Sequence, residues 1–160
     1  MKNVEKYIAL LPVAFALHNV EEAIYINNVN HLEFNHFLYN QTQFIIAVSL
    51  FTTLGFVLVF GKKLYKSESA YQYATVGFAG MLFLNAIISH IIPSIFFLEY
   101  MPGVVTAVLL LLPLTTCILW KNYKLRLFSN KQLIITIFSG GIIGIILVGV
   151  FLGIAHLFVK

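Results

Sequence analysis

The sequence predicts an all-α protein, a polytopic bundle of about five transmembrane helices that forms a single domain over residues 1–160. Of the 160 residues, 60% are hydrophobic and only 10% are charged, whereas a soluble domain carries about 25% charged residues. The apolar residues also fall into five long runs. Each run has 17 or more residues, and helices of about 17–25 residues are those that cross a hydrocarbon core of about 30 Å. A barrel of short alternating strands is excluded by the same lengths.

Short polar segments separate the five predicted spans. The spans cover approximately residues 7–26, 44–60, 74–97, 104–120 and 133–159. The first is the weakest, because it contains His18, Glu21 and Glu22. A cleaved signal peptide is a less favoured interpretation of this segment, since apolar residues continue beyond the small residues Ala14 and Ala16. The longest connection follows the first span and holds two further histidines, His31 and His36.

The basic residues predict the orientation of the bundle. Nine of the ten lysine and arginine residues lie before the first span or in the segments after the second and fourth, and only Lys160 lies on the other side. The positive-inside rule therefore predicts a multi-pass protein of the cell membrane, with a cytoplasmic N-terminus and an extracytoplasmic C-terminus. Because these charges serve as topology signals, the lipid bilayer is the expected partner and a nucleic acid is not.

The fifth predicted span is rich in glycine. Gly140 and Gly144 form one G-x-x-x-G pair, and Gly149 and Gly153 form another. Such pairs let two helices approach closely. At about 100° per residue the two pairs face nearly opposite ways. This helix is expected to pack closely on two sides, and a homo-oligomer through it is one expectation.

Ionisable residues inside the predicted spans mark the candidate site. His18, Glu21 and Glu22 fall within an arc of about 100° on one helix face. Each ionisable group in a span costs about 2.5–3.5 kcal/mol to insert, so these side chains must face the bundle interior and find partners there. The third span and the turn after it supply the candidate partners and supporting residues, which are Asn85, Ser89, His90, Glu99, Tyr100, Pro102 and Gly103.

Three motifs, in this order, resemble those of a known family. Residues 18–22 have the sequence His-Asn-Val-Glu-Glu, His90 follows, and residues 100–103 have the sequence Tyr-Met-Pro-Gly. An H-x-x-E-E motif, a further histidine and a Y-x-P-G motif are together similar to the HXXEE-domain family of small prokaryotic membrane proteins. The resemblance covers the chain from the first span to the fourth. It implies an integral membrane protein and brings no known activity with it.

The spacing of the first motif favours a metal site. Soluble metalloproteases of the H-x-x-E-H type place two ligands four residues apart, with a glutamate base before the second. By this analogy His18 and Glu22 bind a divalent metal such as zinc, Glu21 is the catalytic base that activates water, and His90 is the third ligand. Such a His₂Glu set leaves one position open, and the protein would be a hydrolase-like enzyme with its site in the outer half of the membrane.

Two other classes of function remain open. The glutamates could titrate in a proton- or cation-coupled carrier, although five helices without an internal repeat are unusual for a transporter. The protein could instead be non-enzymatic, for example an immunity or assembly factor, with the polar residues bracing the bundle through hydrogen bonds. His31, His36 and His156 are expected to be interfacial residues without a role in the site.

Overall fold

The structure, a computed structural model, describes residues 2–26 and 40–159. These residues form helices and no strand. Five helical segments are long and apolar enough to cross a membrane. They are Val4–Tyr25, Gln41–Phe60, Glu68–Phe97, Val104–Lys124 and Asn130–Phe158, here called the first to fifth spans. The predicted all-α bundle with five spans is therefore confirmed, while the histidines at 31 and 36 lie outside the described residues.

Polar caps set where two of the spans begin. The Ser67 hydroxyl accepts a backbone hydrogen bond from the first turn of the third span, so this helix begins at Glu68 and not near residue 74 as predicted. Ser129 caps the fifth span in the same way, and Gln132 closes the capping box. A prediction based on apolar content misses these polar first turns, and it therefore places both helix starts too late.

The first span consists of two helices, Lys2–Ile8 and Leu11–Tyr25, joined by a turn at residues 9 and 10. Pro12 lies in the first turn of the second helix, where its missing N–H has no intrahelical partner to lose. The longer helix carries the H-x-x-E-E motif.

Two further prolines coincide with widened turns. The third span comprises an α-helix Glu68–Asn85, a π-helical turn Ala86–Ile91 and an α-helix Ile92–Phe97. The fourth comprises Val104–Thr106, a π-helical turn Ala107–Leu111 and an α-helix Leu112–Lys124. In each case a proline, Pro93 or Pro113, is the second residue of the following α-helix. Proline cannot donate to the carbonyl four residues earlier, so the local hydrogen-bond pattern must change there.

Aromatic packing joins the first, second and third spans. The ring of Phe15 lies 5.2 Å from that of Phe51 and 5.7 Å from that of Phe78, edge to face in both cases. This geometry is favoured between aromatic rings. All three rings are buried, so they fix the face of the first span that turns towards the bundle.

Glycine brings the third and fifth spans into close contact. A Cβ atom added at Gly140 would lie 2.1 Å from the carbonyl oxygen of Gly77. At Gly144 it would lie 2.5 Å from Met81 Cγ. Among the described residues, no atom lies within 4 Å of a Cβ added at Gly149 or Gly153. One predicted glycine pair therefore packs inside the bundle, and the other contacts none of the described residues.

Polar contacts tie the bundle together at both ends. At one end, Lys62 Nζ lies 3.1 Å from Glu5 Oε1 and 3.1 Å from Glu68 Oε1. At the other, Gln43 Nε2 donates to the carbonyl of Val159 at 2.9 Å and lies 3.0 Å from His156 Nδ1. The turn between the third and fourth spans closes this second end, and the H-x-x-E-E motif lies beneath it.

Candidate metal centre

Two histidines and a glutamate meet below the turn that joins the third and fourth spans. Glu22 Oε1 lies 3.7 Å from His18 Nε2 and 3.3 Å from His90 Nε2. The rings of His18 and His90 stand edge to face, 4.6 Å apart between centroids. One ligand atom from each of the three residues lies within 4.8 Å of the others. The first and third spans thus bring together the three side chains predicted to converge.

The positions of these side chains follow from the two helices. His18 and Glu22 are four residues apart on a regular α-helix, so their side chains lie one above the other on the same face. His90 lies in the π-helical turn of the third span, and such turns are frequent at functional sites. His18 is fully buried, His90 is 4% exposed and the Glu22 side chain is 18% exposed. The group therefore lies inside the bundle with one partly open side.

Hydrogen bonds at Nδ1 fix the orientation of both imidazole rings. His90 Nδ1 lies 2.7 Å from the carbonyl oxygen of Pro102, and since a carbonyl only accepts, Nδ1 carries the proton. His18 Nδ1 lies 3.0 Å from Thr106 Oγ1, whose hydroxyl donates to the carbonyl of Gly103. That hydroxyl oxygen therefore accepts from His18 Nδ1–H. In both rings Nε2 keeps its lone pair and faces Glu22, as in histidine ligands held by an outer hydrogen bond.

Asn85 completes the inner face of the group. Its Nδ2 lies 3.3 Å from His18 Nε2 and 3.2 Å from His90 Nε2. The amide thus donates to both imidazole lone pairs at once. Asn85 ends the α-helix that precedes the π-helical turn, which holds it one turn away from His90 on the same side.

Glu21 is held outside this group by the start of the fourth span. Its Oε1 accepts from Tyr100 Oη at 2.5 Å and from the backbone N–H of Val105 at 3.1 Å, and its Oε2 accepts from the N–H of Thr106 at 2.7 Å. These amides belong to the first turn of a helix and lack intrahelical partners. A carboxylate is a favourable group at such a helix start. Glu21 thus caps the fourth span from a neighbouring helix.

Tyr100 is the side chain that donates a hydrogen bond to Glu21. Burial and the hydrogen bond to Glu21 raise the pKa of the Tyr100 phenol. The phenol therefore stays protonated at neutral pH and continues to donate to the carboxylate. Its ring also lies 5.4 Å from that of Tyr25, so the turn is tied to the end of the first span by two contacts.

Gly103 lies directly against the three candidate ligands. A Cβ atom there would come within 2.7 Å of His18 Cε1, 2.8 Å of Glu22 Cγ and 3.1 Å of His90 Cε1. Its φ of 85° is in the left-handed region, which favours glycine. Pro102 and Gly103 thus have different roles in this segment. The Pro102 carbonyl accepts a hydrogen bond from His90, and Gly103 has no side chain that would clash with the candidate ligands.

The remaining predicted residues lie further from the group. Ser89 is exposed on the third span and lines a cavity beside His90. Glu99 is half-buried in the turn, and its backbone carbonyl accepts a hydrogen bond from Ser94 at 2.7 Å. His156 contacts Gln43 at the end of the bundle and does not belong to the three-residue group.

Two polar residues escaped the sequence prediction. Thr106 contacts His18 through its hydroxyl and Glu21 through its backbone. Asn19 is buried and donates to Thr52 on the second span at 2.7 Å. Asn19 lies inside the H-x-x-E-E motif and could have been noted as a polar residue within an apolar run. Thr106 carried no such signal, because threonine is common in helices of this kind.

A cavity of about 640 Å³ opens beside the group. It lies between the first, second, third and fifth spans, and the turn before the fourth span covers one end. Its walls are mostly aliphatic and aromatic. Polar side chains occur at Asn19, Glu22, Asn85, Ser89 and His90, so two of the three candidate ligands, Glu22 and His90, line one end of an apolar space.

The fold and the buried group define a class of protein: a small helical membrane protein with a histidine–glutamate centre between two of its spans. The chain belongs to the HXXEE family, described as proteins of unknown function with an HXXEE motif, whose family model matches residues 9–118. The uncharacterized protein YrkK of Bacillus subtilis (strain 168) is 30% identical over 139 residues, which is 86% of this chain and 87% of the relative. No solved structure matches the chain significantly.

Proposed function

We propose that this protein is a metal-dependent intramembrane hydrolase whose centre is formed by His18, Glu22 and His90. The observation that carries the proposal is the approach of Glu22 Oε1 to both imidazole Nε2 atoms, in a group whose three ligand atoms lie within 4.8 Å of one another. The two outer hydrogen bonds at Nδ1 support it, because they present both lone pairs to that point.

The two separations that involve Glu22 are close to those around a tetrahedral ion. Bonds of about 2.0–2.1 Å to zinc place neighbouring ligand atoms about 3.3–3.4 Å apart. Glu22 Oε1 is 3.3 Å from one histidine nitrogen and 3.7 Å from the other. Two imidazoles and one carboxylate are a donor set used by catalytic zinc, with the fourth position left for water. The cavity adjoins this group and would give a substrate access to that position.

Zinc bound there would lower the pKa of its water to about 7 and so supply hydroxide at neutral pH. His18 and Glu22 on the first span and His90 on the third would hold the ion. Asn85, whose amide donates to both Nε2 lone pairs, would have to release them when an ion binds and would then be free to donate to an oxygen atom on that ion.

The role of Glu21 as the general base stays a prediction. Its two carboxylate oxygens accept three hydrogen bonds from the fourth span and Tyr100. These bonds favour a positioning role, in which Glu21 holds the Tyr100–Gly103 turn against the ligands.

Metal analysis of purified protein tests the proposal. Wild-type protein should bind about one ion per chain after incubation with zinc, manganese, iron or copper in turn. His18→Ala, Glu22→Gln and His90→Ala should each lose it. The matched controls are His156→Ala, an exposed histidine at the same end of the bundle, and Glu68→Gln, at the opposite end. Both should keep the ion.

The same variants separate the other classes of function. A carrier predicts a metal-free wild type whose pH-dependent flux is abolished by Glu21→Gln or by Glu22→Gln. A purely structural role predicts folded, metal-free glutamine variants that function fully in the cell. A wild type that stays metal-free with all four metals contradicts the proposed hydrolase.

A further inference from the structure

The cavity beside the candidate centre is long and open to the side. Along the fifth span it is lined from Phe138 to Leu152, a length of about 21 Å at 1.5 Å per residue. Ile142 and Ile145 belong to this wall and are 61% and 76% exposed. In a bilayer this open side faces lipid. A molecule dissolved in the membrane could therefore enter without passing through water.

These dimensions fit a single lipid chain. One leaflet contributes about half of the 30 Å hydrocarbon core, or about 15 Å, and the cavity exceeds this length. Its volume of about 640 Å³ lies in the range of ligand pockets, which are mostly apolar with a few placed polar groups. Phe15, Phe44 and Phe51 add aromatic walls.

With the third span placed across a bilayer, the candidate centre falls at the depth of lipid ester groups. The third span has 30 residues, or about 45 Å, which matches a bilayer with its headgroups, about 40–45 Å. His90 precedes the end of this span at Phe97 by seven residues, or about 10 Å. The headgroup region occupies about 5–7 Å on each side. The centre is thus just below the headgroups, where acyl chains join their polar part.

The charges of the cavity favour a neutral linkage. The cavity lining contains Glu22 and, among the described residues, no lysine or arginine. The segment 27–39, outside the described residues, has no lysine or arginine in its sequence either. Recognition of phosphate groups usually relies on such cations. Along the described lining, an anionic lipid phosphate would find no fixed cation other than the proposed ion.

We propose that the substrate is a neutral membrane lipid with a long-chain carboxylic ester, whose acyl chain lies in the cavity and whose ester carbonyl meets the centre. This proposal rests on the proposed hydrolase. In the reaction, the oxygen of water forms a bond to the acyl carbon and the bond from that carbon to the alkoxy oxygen breaks. One water proton ends on the released alcohol. The other leaves as the fatty acid ionises.

A photoreactive lipid tests the binding of the chain separately from metal. The probe is a diacylglycerol with a diazirine near the end of one acyl chain. Added to purified wild-type protein and photolysed, it should label peptides around Met81 and Gly141 at the deep part of the cavity. Val148→Trp should reduce this labelling about fivefold or more, because the indole fills space that the chain needs.

The chain offers a matched control for this substitution. Val150 is 48% exposed and lies outside the cavity lining, whereas Val148 is 45% exposed and belongs to it. Val150→Trp should therefore label like wild type. If Val148→Trp fails to fold, Leu152→Trp replaces it. Label spread evenly over all five spans, or equal labelling in both valine variants, would overturn the proposal, since it indicates ordinary surrounding lipid.

Two further measurements separate the proposals from each other. His18→Ala, at a candidate ligand that does not line the cavity, should keep the labelling and lose the metal. Zinc-loaded wild type should release fatty acid from the diacylglycerol but leave its ether analogue intact. Labelling by a wild type that binds no metal would defeat the hydrolase and leave chain binding standing. Labelling with metal but no release of fatty acid would overturn the ester as substrate. Stronger competition by a polyprenyl phosphate than by unlabelled diacylglycerol would overturn the proposal that the lipid is neutral.

Discussion

Gly103 is the residue through which the turn between the third and fourth spans touches the candidate ligands. We expect Gly103→Ala to weaken zinc binding at least tenfold, because the new methyl group would displace His18 and Glu22. The left-handed backbone adds a cost of about 1–2 kcal/mol for alanine. Metal titration and thermal unfolding in detergent would measure the two effects.

Gly153→Ala is the control for this substitution. Gly153 has no atom within 4 Å of an added Cβ, and alanine is favoured over glycine inside a helix by up to about 1 kcal/mol. This variant should keep zinc affinity and be at least as stable as wild type. Unchanged zinc affinity in Gly103→Ala would contradict the close packing of the turn on the ligands.

Glu21 and Tyr100 offer a second prediction at the same scale. Glu21→Gln replaces one of the two accepting oxygens by an NH₂ group. That group would face the N–H and O–H donors that bind Glu21 in the wild type. We expect it to keep the metal and to lose about 1–2 kcal/mol of stability. Tyr100→Phe, which removes a single donor, should have a smaller effect in the same direction.

The pair of variants also separates two roles for Glu21. If it is a positioning residue, activity should fall in both variants in proportion to stability, and the pH profile should keep its shape. A glutamine variant with wild-type stability, full metal and no activity would instead support the predicted general base.

The sequence was sufficient to find the three residues of the buried group but not the contacts that hold them. His18, Glu22 and His90 stand out because ionisable residues are costly in an apolar span. The roles of Thr106 and of the Pro102 carbonyl could not be predicted, since they depend on how the turn folds back over the first span. Glu21 is adjacent to Glu22 and looks equivalent in the sequence, yet its carboxylate faces a different helix.

The helices, too, have features that the sequence predicts and features that it does not. Hydropathy predicts all five spans, because their lengths and apolar content are imposed by the bilayer. The π-helical turns at 86–91 and 107–111 are not predicted by hydropathy. The sequence marks them only indirectly, through Pro93 and Pro113. The break in the first span is likewise marked only by Pro12.

The contact of the third and fifth spans carries a prediction at this scale. Gly140→Ile would drive a branched side chain into the Gly77 backbone, so the helices must separate. We expect a loss of several kcal/mol or failure to fold, as in overpacked cores. Gly149→Ile places the same side chain in open space and should unfold like wild type.

The second glycine pair also bears on oligomers. The predicted homo-oligomer through the fifth span stays a prediction, and Gly149 and Gly153 are the residues that would mediate it. Gly149→Ile should then convert an oligomer to a monomer in detergent without loss of fold, as measured by light scattering. A wild type that is already monomeric in mild detergent and in nanodiscs would contradict it.

At the scale of the whole molecule, the described contacts show which ends of the spans lie together at each end of the bundle. The lysine-rich segments after the second and fourth spans lie at the same end as Glu5, since Lys62 contacts Glu5 and Lys121 lies over the ring of Tyr7 at 5.1 Å. We predict that this end is cytoplasmic. Reporter fusions at Lys66 and Arg126 should report a cytoplasmic location, and a fusion at His36 an external one. A cytoplasmic His36 would reverse the orientation.

The proposed metal would also connect the least apolar span to the rest of the bundle. The first span has a mean hydropathy of 1.2, against 1.8 for the third and 2.6 for the fifth. Its position therefore depends more on contacts inside the bundle. Because His18 and Glu22 lie on the first span and His90 on the third, a bound ion would bridge the two. Zinc at about 100 times its dissociation constant should add about 2.7 kcal/mol to the free energy of unfolding. Thermal unfolding with zinc, and again after chelation, would measure this gain. It should disappear in His90→Ala, whereas an equal gain in that variant would place the bound zinc elsewhere on the protein.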